Sequence, residues 1–191
     1  MHIAVVIPVK SFTMAKGRLA DTLNATQRAQ LAQTCAEAVV HAARPLPTFV
    51  VCSDPVVASW ATSLGAIAVD CQTPGLDVAV AAGRRAAEES GADHIVIAHA
   101  DLPLAERFDH VVRHGKVTFV PDRHRDGTNV LSFPAGSSFS TAYGPGSFDN
   151  HVRIAIDAQL EYEVIIDTTL ELDLDTADDL GELARREKEQ P

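Results

Sequence analysis

Ile3-Ala4-Val5-Val6-Ile7-Pro8-Val9 runs directly into Lys10-Ser11-Phe12-Thr13-Met14-Ala15-Lys16-Gly17-Arg18-Leu19. The first run has no polar side chain to turn toward water. That is the pattern of a central strand covered on both faces, and such strands belong to parallel sheets packed between helices. In sheets of that kind, ligands gather in the crevice beyond the carboxyl ends of the strands. The loop that follows carries three cations, Lys10, Lys16 and Arg18, suited to holding phosphates. A solvated basic loop is the competing reading. The loop matches neither G-x-G-x-x-G nor a Walker A sequence.

The alternation continues outward from there. Residues 26–43 read as a helix with a polar cap, closed before Pro45. Residues 48–52 form a second strand, and 55–64 a helix with proline in its first turn. A short strand covers 66–70, a helix 76–89 ends near Gly91, and a buried strand covers 92–98. The second half is less regular. It offers a helix over 105–114, strands over 116–121 and 129–133, and a Gly/Ser-rich loop over 136–146. A helix over 148–159, strand-like runs over 163–166 and 170–174 and a closing helix over 176–187 complete it. The fold class is α/β, with a mainly parallel sheet covered by helices.

The 191 residues suit one domain, 1–191, with its own core. A composition 46% hydrophobic and 22% charged is ordinary for a globular protein. No apolar run reaches the roughly 18 residues of a membrane span, and no basic n-region precedes an apolar one, so the expected setting is cytoplasmic. A formal charge of −10 opposes binding to nucleic acid or to anionic membranes. It leaves room for a small anion held by a local basic patch. Cys35, Cys52 and Cys71 are odd in number and form no C-x-x-C pair, which favours buried thiols over disulfides or zinc.

Two acidic groups fall at strand ends. Asp101, in Ile97-Ala98-His99-Ala100-Asp101-Leu102-Pro103-Leu104, can present a carboxylate to a hard cation such as Mg²⁺, or can cap a following helix. Asp173 and Asp175, in Leu172-Asp173-Leu174-Asp175-Thr176, share a face if the run is extended. Asp175 doubles as a candidate cap for the last helix, leaving Asp173 to pair with Asp101 as a metal ligand. Two further stretches suit anions. One is Pro121-Asp122-Arg123-His124-Arg125-Asp126-Gly127-Thr128-Asn129. The other is Tyr143-Gly144-Pro145-Gly146-Ser147-Phe148, which opens a helix whose N–H groups can cradle a carboxylate or phosphate.

In this order Pro8-Val9-Lys10, Ala15-Lys16-Gly17-Arg18-Leu19, Asp101-Leu102-Pro103-Leu104, Asp126-Gly127-Thr128-Asn129-Val130-Leu131, Gly144-Pro145-Gly146-Ser147-Phe148 with His151, and Asp173-Leu174-Asp175-Thr176 resemble one family. It is that of the 2-phospho-L-lactate/phosphoenolpyruvate guanylyltransferases of 5-deazaflavin coenzyme biosynthesis, and the resemblance spans nearly the whole chain. It implies a three-layer, Rossmann-like nucleotidyltransferase (glycosyltransferase-A-like) fold with a mixed, mostly parallel sheet, GTP as donor, Mg²⁺ as the required ion and a small phosphorylated carboxylic acid as acceptor. Carried over by motif, Thr128, Gly144 and Ser147 would hold the acid, and Asp101 and Asp173 the metal. Pro8, Lys10, Lys16 and Arg18 would lie along the nucleotide, with Lys10, Lys16, Arg18 and Asp101 catalytic. Asp77 follows Leu76 where the family commonly has asparagine, and is expected to bear on the nucleoside. The acceptor acid and the oligomeric state, a homodimer included, stay open. So do a sugar-phosphate or molybdenum-cofactor enzyme of the same architecture and a non-catalytic nucleotide-binding module.

Overall fold

The computed structural model describes residues 1–189. Seven strands form one sheet: β1 (Ile3–Pro8), β2 (Thr48–Cys52), β3 (Ile67–Asp70), β4 (His94–Ala98), β5 (Val117–Pro121), β6 (Thr128–Pro134) and β7 (Tyr162–Val164). Their order is β3-β2-β1-β4-β6-β5-β7. Every pairing is parallel except the two made by β6, which runs against β4 and β5. The three-layer, mixed and mostly parallel sheet expected from the sequence is therefore the one observed.

Helices α1 (Ala25–Ala42), α2 (Pro55–Ser63), α3 (Leu76–Glu89), α4 (Ser147–Asp157) and α5 (Ala177–Glu189) complete the chain. Asn24 opens α1 with a reciprocal capping box to Gln27, and Asp54 caps α2 ahead of Pro55. The apolar run of β1 divides by parity, as a strand with covered faces must. Val5 and Ile7 join the core made with α1 and α2, whereas Ala4 and Val6 join the core made with α3 and α4. The layers are thus α1 and α2, the sheet, and α3 with α4. Leu180 and Leu183 of α5 pack with Cys35, Leu172 and Leu174 in a smaller third cluster.

Close approach of α3 to the sheet depends on Gly83. A Cβ there would lie 2.7 Å from Val51 Cγ2 and nearer still to Val6 Cγ1. Both neighbours are β-branched and held in strands, so neither can swing away. Gly83→Ala is expected to destabilise the protein by about 1–3 kcal/mol through overpacking, despite the higher helix propensity of alanine. A urea midpoint equal to wild type would show that α3 can lift off the sheet at no cost.

Two expected elements are absent. Residues 105–114 contain only a 3-10 turn at Asp109–Val111. Arg107 bonds the Asp109 carboxylate and Arg113 bonds the His110 and Val112 carbonyls, so local side-chain bonds replace the helical ladder while Phe108 and Val111 stay buried. Residues 170–174 alternate as a strand does, with Leu170, Leu172 and Leu174 buried, but they join no ladder. Isolated backbone bonds fix the segment, from Arg123 N–H to the Glu171 carbonyl and from Leu174 N–H to the Asp101 carbonyl. Among the described residues, no helix is long and apolar enough to cross a membrane.

Candidate active site

The loop after β1 is pinned at two buried residues. Phe12 meets Trp60 edge-on at 5.2 Å, and Leu19 is fully buried. Between these anchors Lys16 takes a left-handed backbone (φ 57°, ψ 37°), unusual outside glycine and costly unless its surroundings hold it there. The turn sends its side chain inward, to 5% exposure. Its Nζ donates to Asp101 Oδ2 at 2.9 Å and to Asp175 Oδ1 at 3.2 Å. Arg18 stays largely exposed and lies 3.7 Å from Asp175. Lys10 is exposed and, among the described residues, forms no ion pair.

Asp101 follows the carboxyl end of β4 and Asp173 and Asp175 come from the extended segment before α5. Oxygens of all three lie within 4.8 Å of one another. Two aspartates more than 70 residues apart in the chain do converge, opposite the cationic loop. Asp175 belongs to this cluster and is not the cap of α5. That task falls to Thr176 and Asp179, whose side chains bond each other's backbone N–H groups. Asp101 caps no helix either. Its Oδ2 is taken by Lys16, while its Oδ1 is buried without a hydrogen-bond partner among the described residues.

The electrostatics follow from three carboxylates around one ammonium. Burial works to raise the pKa of Asp101, but Lys16 beside it prevails and holds it below the usual range. Burial likewise opposes the charge on Lys16, and Asp101 and Asp175 outweigh it. Asp173 has no cation of its own. Burial, then Asp101 and Asp175, push its pKa up to about 6. The surplus of negative charge, the all-oxygen donor set and the orphaned Asp101 Oδ1 fit a hard divalent cation.

A carboxyl whose pKa rises on folding prefers its proton in the folded state, so stability falls as pH climbs from about 4 through 6. Asp173→Asn is therefore expected to raise the melting temperature at pH 7.5 in EDTA by roughly 5 °C, and to do little at pH 4. Equal melting temperatures at both pH values would remove the argument for strained charge at this position.

A cleft of about 790 Å³ opens beside the cluster, lined by Pro8, Lys10, Lys16, Arg18 and Asp101 among others. It extends past the ends of β2 and β3 to Gln72, Thr73 and Leu76. Asp77 does not line it. Both of its carboxylate oxygens accept the Tyr143 N–H, at 3.1 and 3.2 Å, tying α3 to the 136–146 loop. Arg84 adds bonds to the Ser137 and Phe139 carbonyls.

Thr128, Gly144 and Ser147 also come together. The Thr128 N–H donates to Ser147 Oγ at 3.2 Å, and the Ser147 N–H to the Gly144 carbonyl at 3.0 Å. Gly144 has φ 132°, backbone that side-chain-bearing residues rarely adopt. Thr128 and Ser147 are buried, at 0% and 2% exposure. The basic cluster after β5 is otherwise engaged. Arg123 pairs with Asp178 and Asp179, and Arg125 lies over the Phe148 ring at 5.4 Å.

Three side chains escaped the sequence argument or were underrated by it. Asp175 had a signal, the i, i+2 spacing with Asp173, which its position before a helix masked. Asn129 donates to the Leu170 carbonyl at 3.0 Å and lies 3.5 Å from Asp173 Oδ1, steadying that segment. His151, fully buried on α4, touches the Thr128 hydroxyl.

Known proteins share this sequence and architecture. The family described as "Guanylyl transferase CofC like" matches residues 3–189. The chain is 34% identical over 192 residues to a phosphoenolpyruvate guanylyltransferase of Rubrobacter xylanophilus, covering 96% of this chain and 94% of that one. It is 28% identical over 185 residues to a 2-phospho-L-lactate guanylyltransferase of Methanocaldococcus vulcanius, covering 94% and 83%. Among solved structures, a nucleotidyl transferase of Methanothermobacter thermautotroptrophicus superimposes with a TM-score of 0.67 at 14% identity, over 99% of each chain, a likeness of fold.

Proposed function

As the chain belongs to the CofC-like guanylyl transferase family, we propose that it transfers GMP from GTP to the phosphate of a small phosphorylated carboxylic acid and releases pyrophosphate. The acceptors in view are phosphoenolpyruvate, 2-phospho-L-lactate and 3-phosphoglycerate. The observation that carries the reading is the meeting of Lys16 with Asp101, Asp173 and Asp175 at one end of a cleft of about 790 Å³. Cations and acidic oxygens alternate there, as recognition of a metal-bound polyphosphate demands.

In this proposal Pro8, Lys10, Lys16 and Arg18 lie along the triphosphate, and Asp101 and Asp173 hold Mg²⁺, with Asp175 beside them. When bound, the ion would neutralise phosphate charge and hold the donor in line. Lys10 and the largely exposed Arg18, whose one contact with Asp175 is 3.7 Å long, can reach anionic oxygens, and Lys16 offsets charge at the cluster itself. Thr128, Gly144 and Ser147 hold the acceptor's carboxylate. A phosphate monoester with its second pKa near ~6 is already an anionic nucleophile at neutral pH. The chain therefore needs no general base to activate it, only placement and charge compensation. Asp77 reaches the nucleotide only indirectly, through the position of α3 against the 136–146 loop.

Mass spectrometry of the products from GTP, Mg²⁺ and a mixture of the three acids tests this. A GMP-linked diphosphate of one acid, with matching pyrophosphate, is expected. Binding of GTP without product from any of the three would overturn it.

A further inference from the structure

His151 makes two hydrogen bonds that together dictate where its proton sits. Its Nε2 is 2.9 Å from the Ala142 backbone N–H, which can only donate, so Nε2 is the accepting, unprotonated nitrogen. Burial pushes the pKa of the ring down to about 4, so it is neutral at pH 7. A neutral imidazole with a bare Nε2 carries its hydrogen on Nδ1, and Nδ1 is 3.0 Å from Thr128 Oγ1. The ring therefore donates to the Thr128 hydroxyl, which must aim its own hydrogen elsewhere.

The next residue in the chain of bonds repeats the situation. Ser147 Oγ accepts the Thr128 N–H, so its hydroxyl hydrogen is also left to give. Neither hydroxyl hydrogen finds an acceptor among the described residues, although both side chains are buried. A buried donor without an acceptor is unfavourable, and an anionic oxygen would satisfy each of these two. The ring cannot shift to relieve this. It lies parallel to Phe119 and edge-on to Tyr143, with centroids 6.4 and 4.8 Å away.

We propose that His151 is a positioning residue that turns the Thr128 hydroxyl hydrogen away from the ring, toward a carboxylate oxygen of the acceptor acid. This rests on the placement of the acid at Thr128, Gly144 and Ser147 proposed above. His151 does not touch the acid itself. It acts through Thr128, and its second bond fixes Ala142 one residue before Tyr143 and two before Gly144, so the same ring sets both sides of the acid site.

The test uses two replacements that keep different halves of the ring. In His151→Asn the side-chain amide sits near Nδ1 and can still donate to Thr128. In His151→Gln it sits near Nε2, can accept from Ala142, and loses Thr128. With GTP and phosphoenolpyruvate as substrates, His151→Gln is expected to raise the acid's KM about tenfold and leave that of GTP within about twofold, with His151→Asn closer to wild type. Added to Thr128→Val, His151→Gln should cause no further rise.

A raised GTP KM, equal effects of the two histidine variants, or additivity with Thr128→Val would overturn the inference. Should the variants fail to fold, long-range ¹H–¹⁵N correlation on the labelled wild-type protein decides the matter. A His151 ring protonated at Nε2 would end it. The broader reading fails differently, by the wild type making no product from any acid. An acid KM unmoved by Thr128→Val, in a wild type that turns over, overturns both the acid placement and this role for His151.

Discussion

Asp101→Asn is expected to lower pyrophosphate release from GTP by about 10²–10³-fold while shifting the melting temperature by only a few degrees. The asymmetry follows from what each oxygen of Asp101 does. Oδ2 accepts from Lys16, a bond that the amide oxygen of asparagine can replace, and Lys16 keeps its second bond to Asp175. The neighbouring backbone is held by the Asp101 carbonyl, bonded to Leu174 N–H, which the substitution leaves alone. Oδ1 has no hydrogen-bond partner among the described residues, so no bond in the fold is broken when it becomes an amide nitrogen. What is lost is one unit of negative charge and one acceptor at the proposed cation site. A purified variant that is folded and turns over at the wild-type rate would exclude Asp101 from the chemistry, whatever else the cleft binds.

Lys16→Met should damage stability and turnover together, and the two should respond differently to Mg²⁺. Without the ammonium, Asp101 and Asp175 each lose a bond of 2.9 or 3.2 Å, and three carboxylates stand together with only the exposed Arg18, 3.7 Å from Asp175, to offset them. Removing one partner of a fully buried pair costs about 3–5 kcal/mol. Asp175 is 41% exposed, so water screens part of that loss, and about 2 kcal/mol is the expected penalty in EDTA. Millimolar Mg²⁺ should restore most of the melting temperature, because a cation among the three aspartates replaces the lost charge. Turnover should stay down by about 10²-fold even with saturating Mg²⁺, because a methionine cannot contact phosphate oxygens. A melting temperature insensitive to Mg²⁺ in this variant would count against a cation among these aspartates. Full activity at high Mg²⁺ would reduce Lys16 to a structural counter-ion.

Much of the architecture was readable because it is written in periodicity. The apolar run from Ile3, the capped alanine-rich helices and the breaks at Pro45 and Gly91 each follow from local chemistry, and β1 to β4 with α1 to α3 appear where those signals place them. Reading failed where single contacts replace repeating ones. Residues 170–174 have the alternation of a strand, yet their carbonyls and N–H groups meet isolated partners. Residues 105–114 have helix-compatible apolar spacing, yet Arg113 takes up the His110 and Val112 carbonyls through its side chain and Arg107 pairs with the Asp109 carboxylate.

The site was legible to the same degree. Lys16 and Asp101 stand at strand ends, which the pattern of the chain exposes. Asp175 was hidden by its place before a helix, a position where aspartate ordinarily caps. The competing cap at Thr176 and Asp179 becomes visible only once the backbone N–H groups have partners. The part played by His151 needed a ring's two nitrogens to be told apart, which no spacing of residues reports.

Among the described residues, β6 is the one strand that begins, rather than ends, at the edge of the sheet where β1 and β4 finish. Its first residues, Thr128 and Asn129, follow directly from the tight turn in which the Asp122 carboxylate holds the N–H groups of His124, Asp126 and Gly127. The proposed acid site therefore hangs in part from a hairpin tip, while Lys16 and Asp101 lie in loops that follow the central strands β1 and β4. Lengthening or reshaping that tip would slide Thr128 relative to Asp101 without disturbing β1 or β4. If the acid sits where it is proposed to, such a layout would let acceptor choice be redesigned at the tip while the cationic loop stays as it is.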